Sequence, residues 1–158
     1  MQTHEVKWSY SGLKDYDNCP RQYHEVKVLK RYTKFPTEQM RYGTEVHKAV
    51  EDYVGEGKPL LPNYQKFQRQ LDPLVEMEGI KYPELRMAIN FDREPCKWGE
   101  YWVRGIADLV IIDKEKKMAY SVDYKTSKNA RYADIKQLEL VATALFKHFP
   151  EVERIKSA

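Results

Sequence analysis

The chain is poor in cysteine. Cys19 and Cys96 are the two cysteines among 158 residues, and neither belongs to a CxxC pair. No zinc motif and no disulfide framework can be read from them. Both thiols are expected to be reduced, in a cytoplasmic compartment. Long hydrophobic runs are lacking as well. No stretch approaches the ~18 apolar residues of a spanning helix. The amino terminus has no charged start followed by an apolar run, so no signal peptide is expected. Repeats and low-complexity segments are absent too. Nor is there a strong excess of charge of one sign: 27 basic and 24 acidic residues leave a net +3. That balance permits a basic groove only if the charges segregate in space.

What is present is the composition of one folded domain spanning residues 1–158. Apolar residues make up 42% and charged residues 32%, ordinary values for a globular chain of this length. Trp8 to Tyr16 reads as a short helix capped by Ser9 or Ser11, and Pro20 marks a break or a new start. Arg41 to Tyr53 reads as a longer helix, with Val46, Ala49, Val50 and Tyr53 at helical spacing. Gly55 and Gly57 are expected to end it. Part of 59–73 reads as a further helix. From Leu85, alternation through Met87, Ile89 and Phe91 predicts a strand. Trp102 to Ile112 and Met118 to Lys125 predict two more, joined by the charged turn Lys114–Lys117. Asp134 to Phe149 carries a broad apolar face and predicts a long helix, stopped by Pro150. Val152 to Ala158 reads as the start of a strand that pairs in parallel with an earlier one, and the domain is expected to continue past Ala158. Three antiparallel strands, a helix and a parallel strand make an α/β layer arrangement, with a mixed sheet flanked by helices.

The chemistry concentrates on two of these strands. If Lys114–Lys117 is a four-residue loop, Asp113 faces Met118, and the same register sets Asp108 opposite Asp123. Two carboxylates directly opposite repel one another, and a divalent cation between them removes that cost. Asp108 interrupts an otherwise apolar run from Gly105 to Ile112, which is an unusual setting for a solvated acid. Lys125 shares a strand face with Asp123. The bland alternative is a pair of edge acids neutralised by Lys or Arg. Phosphodiester hydrolysis has use for this set: a metal on a phosphate oxygen, a water held in line, and a cation against developing charge.

On the second predicted helix, His47 and Glu51 stand at i and i+4, on one face. By spacing alone they are a solvated pair. The amino-terminal third interleaves cations and tyrosines: Arg21, Tyr23, Lys27, Lys30, Arg31, Tyr32, Lys34 and Arg41. That mix suits phosphates and unpaired bases, and equally a solvated face over buried tyrosines. Lys128, Arg131 and Lys136 follow the third strand and can touch a phosphate backbone.

Taken together, these residues resemble the PD-(D/E)XK nuclease superfamily, and in particular its RecB-like exonuclease branch. Ser9-Tyr10-Ser11-Gly12-Leu13 with Cys19-Pro20-Arg21-Gln22-Tyr23 is similar to its amino-terminal helix motif. Gly43-Thr44-Glu45-Val46-His47 is similar to its histidine motif, and Gly105-Ile106-Ala107-Asp108 to its metal-aspartate strand. Asp123-Tyr124-Lys125 is similar to its catalytic strand, and Gln137-Leu138-Glu139-Leu140 to its glutamine motif. The resemblance implies a restriction-endonuclease-like core. It implies that Asp108, Asp123, the Tyr124 carbonyl and His47 ligate Mg²⁺ or Mn²⁺, with Glu51, and less surely Glu84, affecting a second metal. It further implies that Lys125 assists the attacking water and Gln137 helps hold the site or the strand. From the mix of cations and tyrosines, Arg21, Tyr23, Lys128 and Arg131 are the expected DNA contacts. Val141 stands where the glutamine motif usually has tyrosine. Cys19 matches the first ligand of the iron–sulfur cluster that some relatives bind, but no late cysteine cluster follows, so no such cluster is expected. No helicase motif is present, so a helicase or recombinase partner would be a separate chain.

The leading expectation is therefore a Mg²⁺- or Mn²⁺-dependent DNA exonuclease of recombination, repair or phage DNA processing, acting on DNA ends and not at a membrane. A structure-specific endonuclease shares the same core residues. A nucleic-acid-binding module without catalysis is the alternative of another class. Against it stands the intact set of Asp108, Asp123 and Lys125.

Overall fold

The computed structural model describes residues 6–126 and 134–158. The elements run β1 (Trp8–Ser9), α1 (Tyr10–Asn18), α2 (Pro20–Tyr23), α3 (Glu38–Glu56), α4 (Gln68–Glu76), β2 (Ile80–Ile89), β3 (Val103–Asp113), β4 (Met118–Val122), α5 (Ile135–His148) and β5 (Arg154–Ser157). A π-helical turn, His24–Val28, follows α2, and a 3₁₀ turn, Pro62–Phe67, precedes α4. The fold is mixed α/β with a central sheet flanked by helices, consistent with a restriction-endonuclease-like core. Among the described residues no helix is long and apolar enough to cross a membrane.

The local signals explain most of the boundaries. Ser9 caps α1 by accepting from Gly12 N at 3.2 Å, and Cys19 Sγ caps α2, where Pro20 takes the first position. Helix α3 begins earlier than periodicity predicts, because Thr37 Oγ1 accepts from Met40 N. It ends at Gly57, in the left-handed region at φ 70°. Gly55, expected to help end it, lies inside it instead. A Cβ there would come within 2.6 Å of Pro83 Cγ, so this glycine lets α3 lie close on β2. Pro73 lies inside α4 rather than at its end.

β3 is the spine of the sheet. Along one edge it pairs antiparallel with β2 from Ile80↔Ile112 to Ile89↔Val103. On the other edge it pairs with two strands: parallel β1 at Val103 and Arg104, and antiparallel β4 from Leu109↔Val122 to Asp113↔Met118. The Asp113↔Met118 pair is the register that the four-residue loop predicts. β5 then adds in parallel to β4, again as expected. On the edge shared by β1 and β4, the stretch Gly105–Asp108 has no strand partner among the described residues.

Two cores lie on the two faces. One packs Val141, Ala144 and Leu145 of α5 on Met87, Ile89, Ala107, Val110 and Ile112. The other packs Val46, Val50 and Val54 of α3, with Leu71 of α4, on Leu109 and Ile111. These memberships reveal a local break in the pleat. Ala107 and Leu109 are two residues apart and belong on one face of a regular strand, yet they lie in opposite cores. On β2, Tyr82 and Leu85 are three apart yet pack against the same core. Alternation therefore switches on both strands at one cross-strand level, that of Glu84 and Asp108. Glu84 takes a φ of 47° there, a costly conformation for a residue with a Cβ.

Candidate active site

The switch sets Asp108 apart. Its strand neighbours are buried apolar residues, while its carboxylate reaches into the gap between β1 and β4. There Asp108 Oδ2 accepts from Tyr124 N at 2.7 Å. β4, predicted to run to Lys125, ends at Val122. Beyond it, Asp123 N–H turns to Ala158 O at 2.8 Å, and the side chain of Asp108 takes the Tyr124 amide. The fork between β3 and β4 is thus closed by a carboxylate instead of by a backbone ladder.

Helix α3 brings His47 over this fork. His47 Nδ1 stands 3.5 Å from Asp108 Oδ1, and Nε2 donates to the Tyr124 carbonyl at 2.8 Å. Both ring nitrogens face acceptors, which favours the doubly protonated ring. The hydrogen bond to Asp108 is the largest influence and raises the His47 pKa above its ordinary value. Partial burial opposes it, and the Tyr124 carbonyl and the charges of Asp108 and Asp123 add to it. A raised folded pKa means that this contribution to stability is complete below the ordinary imidazole value. It is lost as pH rises through the folded one.

The remaining candidate residues fall into distinct places. Lys125 Nζ lies 2.6 Å from Asp123 Oδ2, so the two form a pair beside the fork. His47, Tyr124 and Lys125, with Tyr42 and Thr126, line a cleft of about 860 Å³. A second cleft, of about 470 Å³, opens on the other side of His47 and gathers Glu51, Glu84 and Asp108 with Lys48. Glu51 is engaged by Lys48 Nζ at 3.2 Å. The placement of Glu84 is the least legible from sequence. Its signal is register: the pairs Pro83↔Leu109 and Leu85↔Ala107 set it across from Asp108, whereas the β3–β4 ladder stops at Leu109↔Val122, so Asp123 does not take the position opposite Asp108 that the loop length predicts. Glu84 and Asp108 line one cleft together, and Asp123 is paired with Lys125 instead.

Gln137 is half-buried in the first turn of α5, its amide on the Asp134 carbonyl. It lines neither of these clefts. Arg21 lines a separate basin with Arg31, Tyr32 and Lys34. Tyr23 packs its ring 5.8 Å from Trp8 and 5.7 Å from Tyr16, in an aromatic cluster that holds α1, α2 and β1 together. Lys128 and Arg131 lie outside the described residues.

The donors fit a hard divalent cation by chemistry. Asp108, Asp123 and the Tyr124 carbonyl offer oxygen, and His47 offers one imidazole nitrogen, a set suited to Mg²⁺ or Mn²⁺. Asp108 and the Tyr124 carbonyl converge on the His47 ring, one on each ring nitrogen. Among the described residues no three His, Cys, Asp or Glu side chains stand close enough to share one ion; Asp123 is paired with Lys125 and Glu51 with Lys48.

Comparison with known proteins gives one result for part of the chain. Residues 7–82 match the family model of the PD-(D/E)XK nuclease superfamily. That segment runs from β1 through His47 and into β2, and stops short of Glu84, Asp108, Asp123 and Lys125. No curated protein and no solved structure matches the chain.

Proposed function

We propose that this chain is a PD-(D/E)XK nuclease: a divalent-metal-dependent hydrolase of DNA phosphodiester bonds, with exonuclease action of the RecB-like kind as the preferred mode. The observation that carries this reading is the meeting of Asp108, His47 and the Tyr124 carbonyl at the β3–β4 fork, with the Asp123–Lys125 pair beside it. The match over residues 7–82, which includes His47, supports it.

Asp108, Asp123, the Tyr124 carbonyl and His47 would hold Mg²⁺ or Mn²⁺. When bound, that ion supplies Lewis acidity to a phosphate oxygen and lowers the pKa of a water. The chain's own residues do the rest. Lys125, on a cleft wall, offsets negative charge that develops as water oxygen bonds to phosphorus and the leaving oxygen departs. Asp123 holds that ammonium in place at 2.6 Å. The Asp108 hydrogen bond to Tyr124 N fixes the start of the Tyr124-Lys125 segment, so the carbonyl and the ammonium keep a set relation. Glu51 and Glu84 would serve a second ion from the neighbouring cleft.

Digestion of end-labelled linear DNA and of closed circular DNA, with Mg²⁺ and with Mn²⁺, tests the reading. Loss of linear DNA with circles left whole is the expected result. Cutting of circles would establish an endonuclease, and binding without cleavage of either substrate would contradict a nuclease.

A further inference from the structure

The larger cleft has a feature that bond hydrolysis does not use. Tyr42, on the first half of α3, lines it together with His47, Tyr124 and Lys125. Its side chain is 37% exposed, although an aromatic group on a core helix would ordinarily bury its faces. It is also braced. The Tyr64 ring stands 6.3 Å away at a 53° tilt, itself 5% exposed and tied by its hydroxyl to Glu45 at 3.1 Å. Lys66 Nζ lies 5.5 Å from the Tyr42 ring centre. The result is a fixed aromatic ring with a flexible lysine cation over it, bordering the same cleft as Lys125.

A ring in that setting suits a nucleobase. Stacking needs a base whose face is free, which a base inside a duplex does not offer, and it tolerates any sequence because every base has such a face. Lys66 and Lys125 add charge for the flanking phosphates. Glu38 also lines the cleft and opposes phosphate, so the ring supplies more of the attraction than net charge does. Tyr42 is five residues before His47, roughly 7.5 Å along the helix axis. Ring and fork border one cleft, so the stacked base belongs to the same strand as the phosphate at the fork.

We infer that the nuclease takes an unpaired DNA strand, and that Tyr42, with Lys66 beside it, is the residue that selects it over duplex. The inference rests on the nuclease reading for its position relative to the reacting phosphate, and on the cleft alone for strand binding.

Fluorescence anisotropy in EDTA, where nothing is cut, tests it with a labelled oligothymidine and a labelled blunt hairpin duplex. The wild-type chain should bind the single strand more tightly than the hairpin. Tyr42→Ala should weaken single-strand binding by about five- to a hundredfold, the cost of losing one stacked base, with hairpin binding unchanged. Tyr42→Phe should restore it. Should Tyr42→Ala melt early, Tyr42→Leu keeps an apolar contact with Tyr64 and still lacks the aromatic face. Equal affinity of the wild type for both substrates, or undiminished single-strand binding by the folded Tyr42 variants, would overturn the inference. Cleavage assays separate it from the nuclease reading: Tyr42-dependent strand binding without any cleavage sinks only the latter, and cleavage indifferent to strandedness sinks only the former.

Discussion

At the scale of single residues, the site is a set of groups held against their ordinary preferences. Glu84 adopts a left-handed backbone at the point where two strands switch faces. Such strain is kept where the side chain is needed. Replacing it with glycine removes the Cβ penalty, so Glu84→Gly should gain about 1 kcal/mol in denaturant unfolding. The same variant should lose DNA cleavage, because a carboxylate leaves the cleft that it shares with Asp108. A variant both less stable and fully active would contradict this account of Glu84. Tyr124 makes a different case. Burial first, and the Asp108 charge second, push its hydroxyl well above the usual tyrosine range, and that hydroxyl is buried with no hydrogen-bond partner among the described residues. A buried polar group without a partner costs stability. Tyr124→Phe should therefore melt at the same temperature as the wild type or higher, and a clear drop in Tm would mean that the hydroxyl has a partner.

At the scale of elements, the close approach of α3 to β2 sets where His47 stands. Gly55 permits that approach. Alanine would raise helix propensity by about 1 kcal/mol, but its Cβ would stand 2.6 Å from a proline ring carbon. A ring fixed in a strand cannot swing aside, and overpacking of this kind costs about 1–3 kcal/mol. The clash outweighs the propensity, so Gly55→Ala should lower stability and, by tilting α3, lower activity as well; a rise in Tm would contradict the packing described. Elements also differ in how far the sequence reveals them. The length of the Lys114–Lys117 loop is enough to set the register of β3 and β4 from Asp113↔Met118 to Leu109↔Val122, but not the fork beyond it, where Asp108 meets the Tyr124 amide. The parallel pairing of β5 is legible from a helix followed by a strand. The first half of β2 is not legible, because Pro83 and the face switch at Glu84 break the alternation that marks a strand. Nor is the early end of β4, which depends on the Asp108 carboxylate replacing a backbone acceptor, a long-range event with no local pattern. Tyr23 reads equally well as a base-stacking residue or a packed one, and only its contacts with Trp8 and Tyr16 place it in an aromatic cluster.

At the scale of the whole molecule, the two ends of the chain are tied across the sheet. Lys14 of α1 pairs with Asp134, the residue that precedes α5, at 2.8 Å, and the Tyr10 hydroxyl bonds the same carboxylate. Lys14 first, then Tyr10, hold the Asp134 carboxyl down at about 2. Burial and Asp134 push Tyr10 up to about 12. A depressed carboxyl contributes stability above its unfolded value near 3.8 and loses it as pH falls through about 2. A raised tyrosine contributes below 10 and loses it as pH rises toward about 12. The tie should hold through neutral pH and weaken at both extremes, and Tyr10→Phe should remove the alkaline part of that dependence. A Tyr10→Phe profile parallel to the wild type from pH 10 to 12 would contradict it. The central assignment concerns another place, the fork where β3 and β4 part. The most direct measurement there is cleavage of linear DNA in Mn²⁺ by the wild type, Asp108→Asn and Lys125→Ala, each checked for a native melt. The wild type should degrade the DNA and both folded variants should leave it intact. Cleavage at the wild-type rate by either variant would contradict the assignment of the fork as the active site.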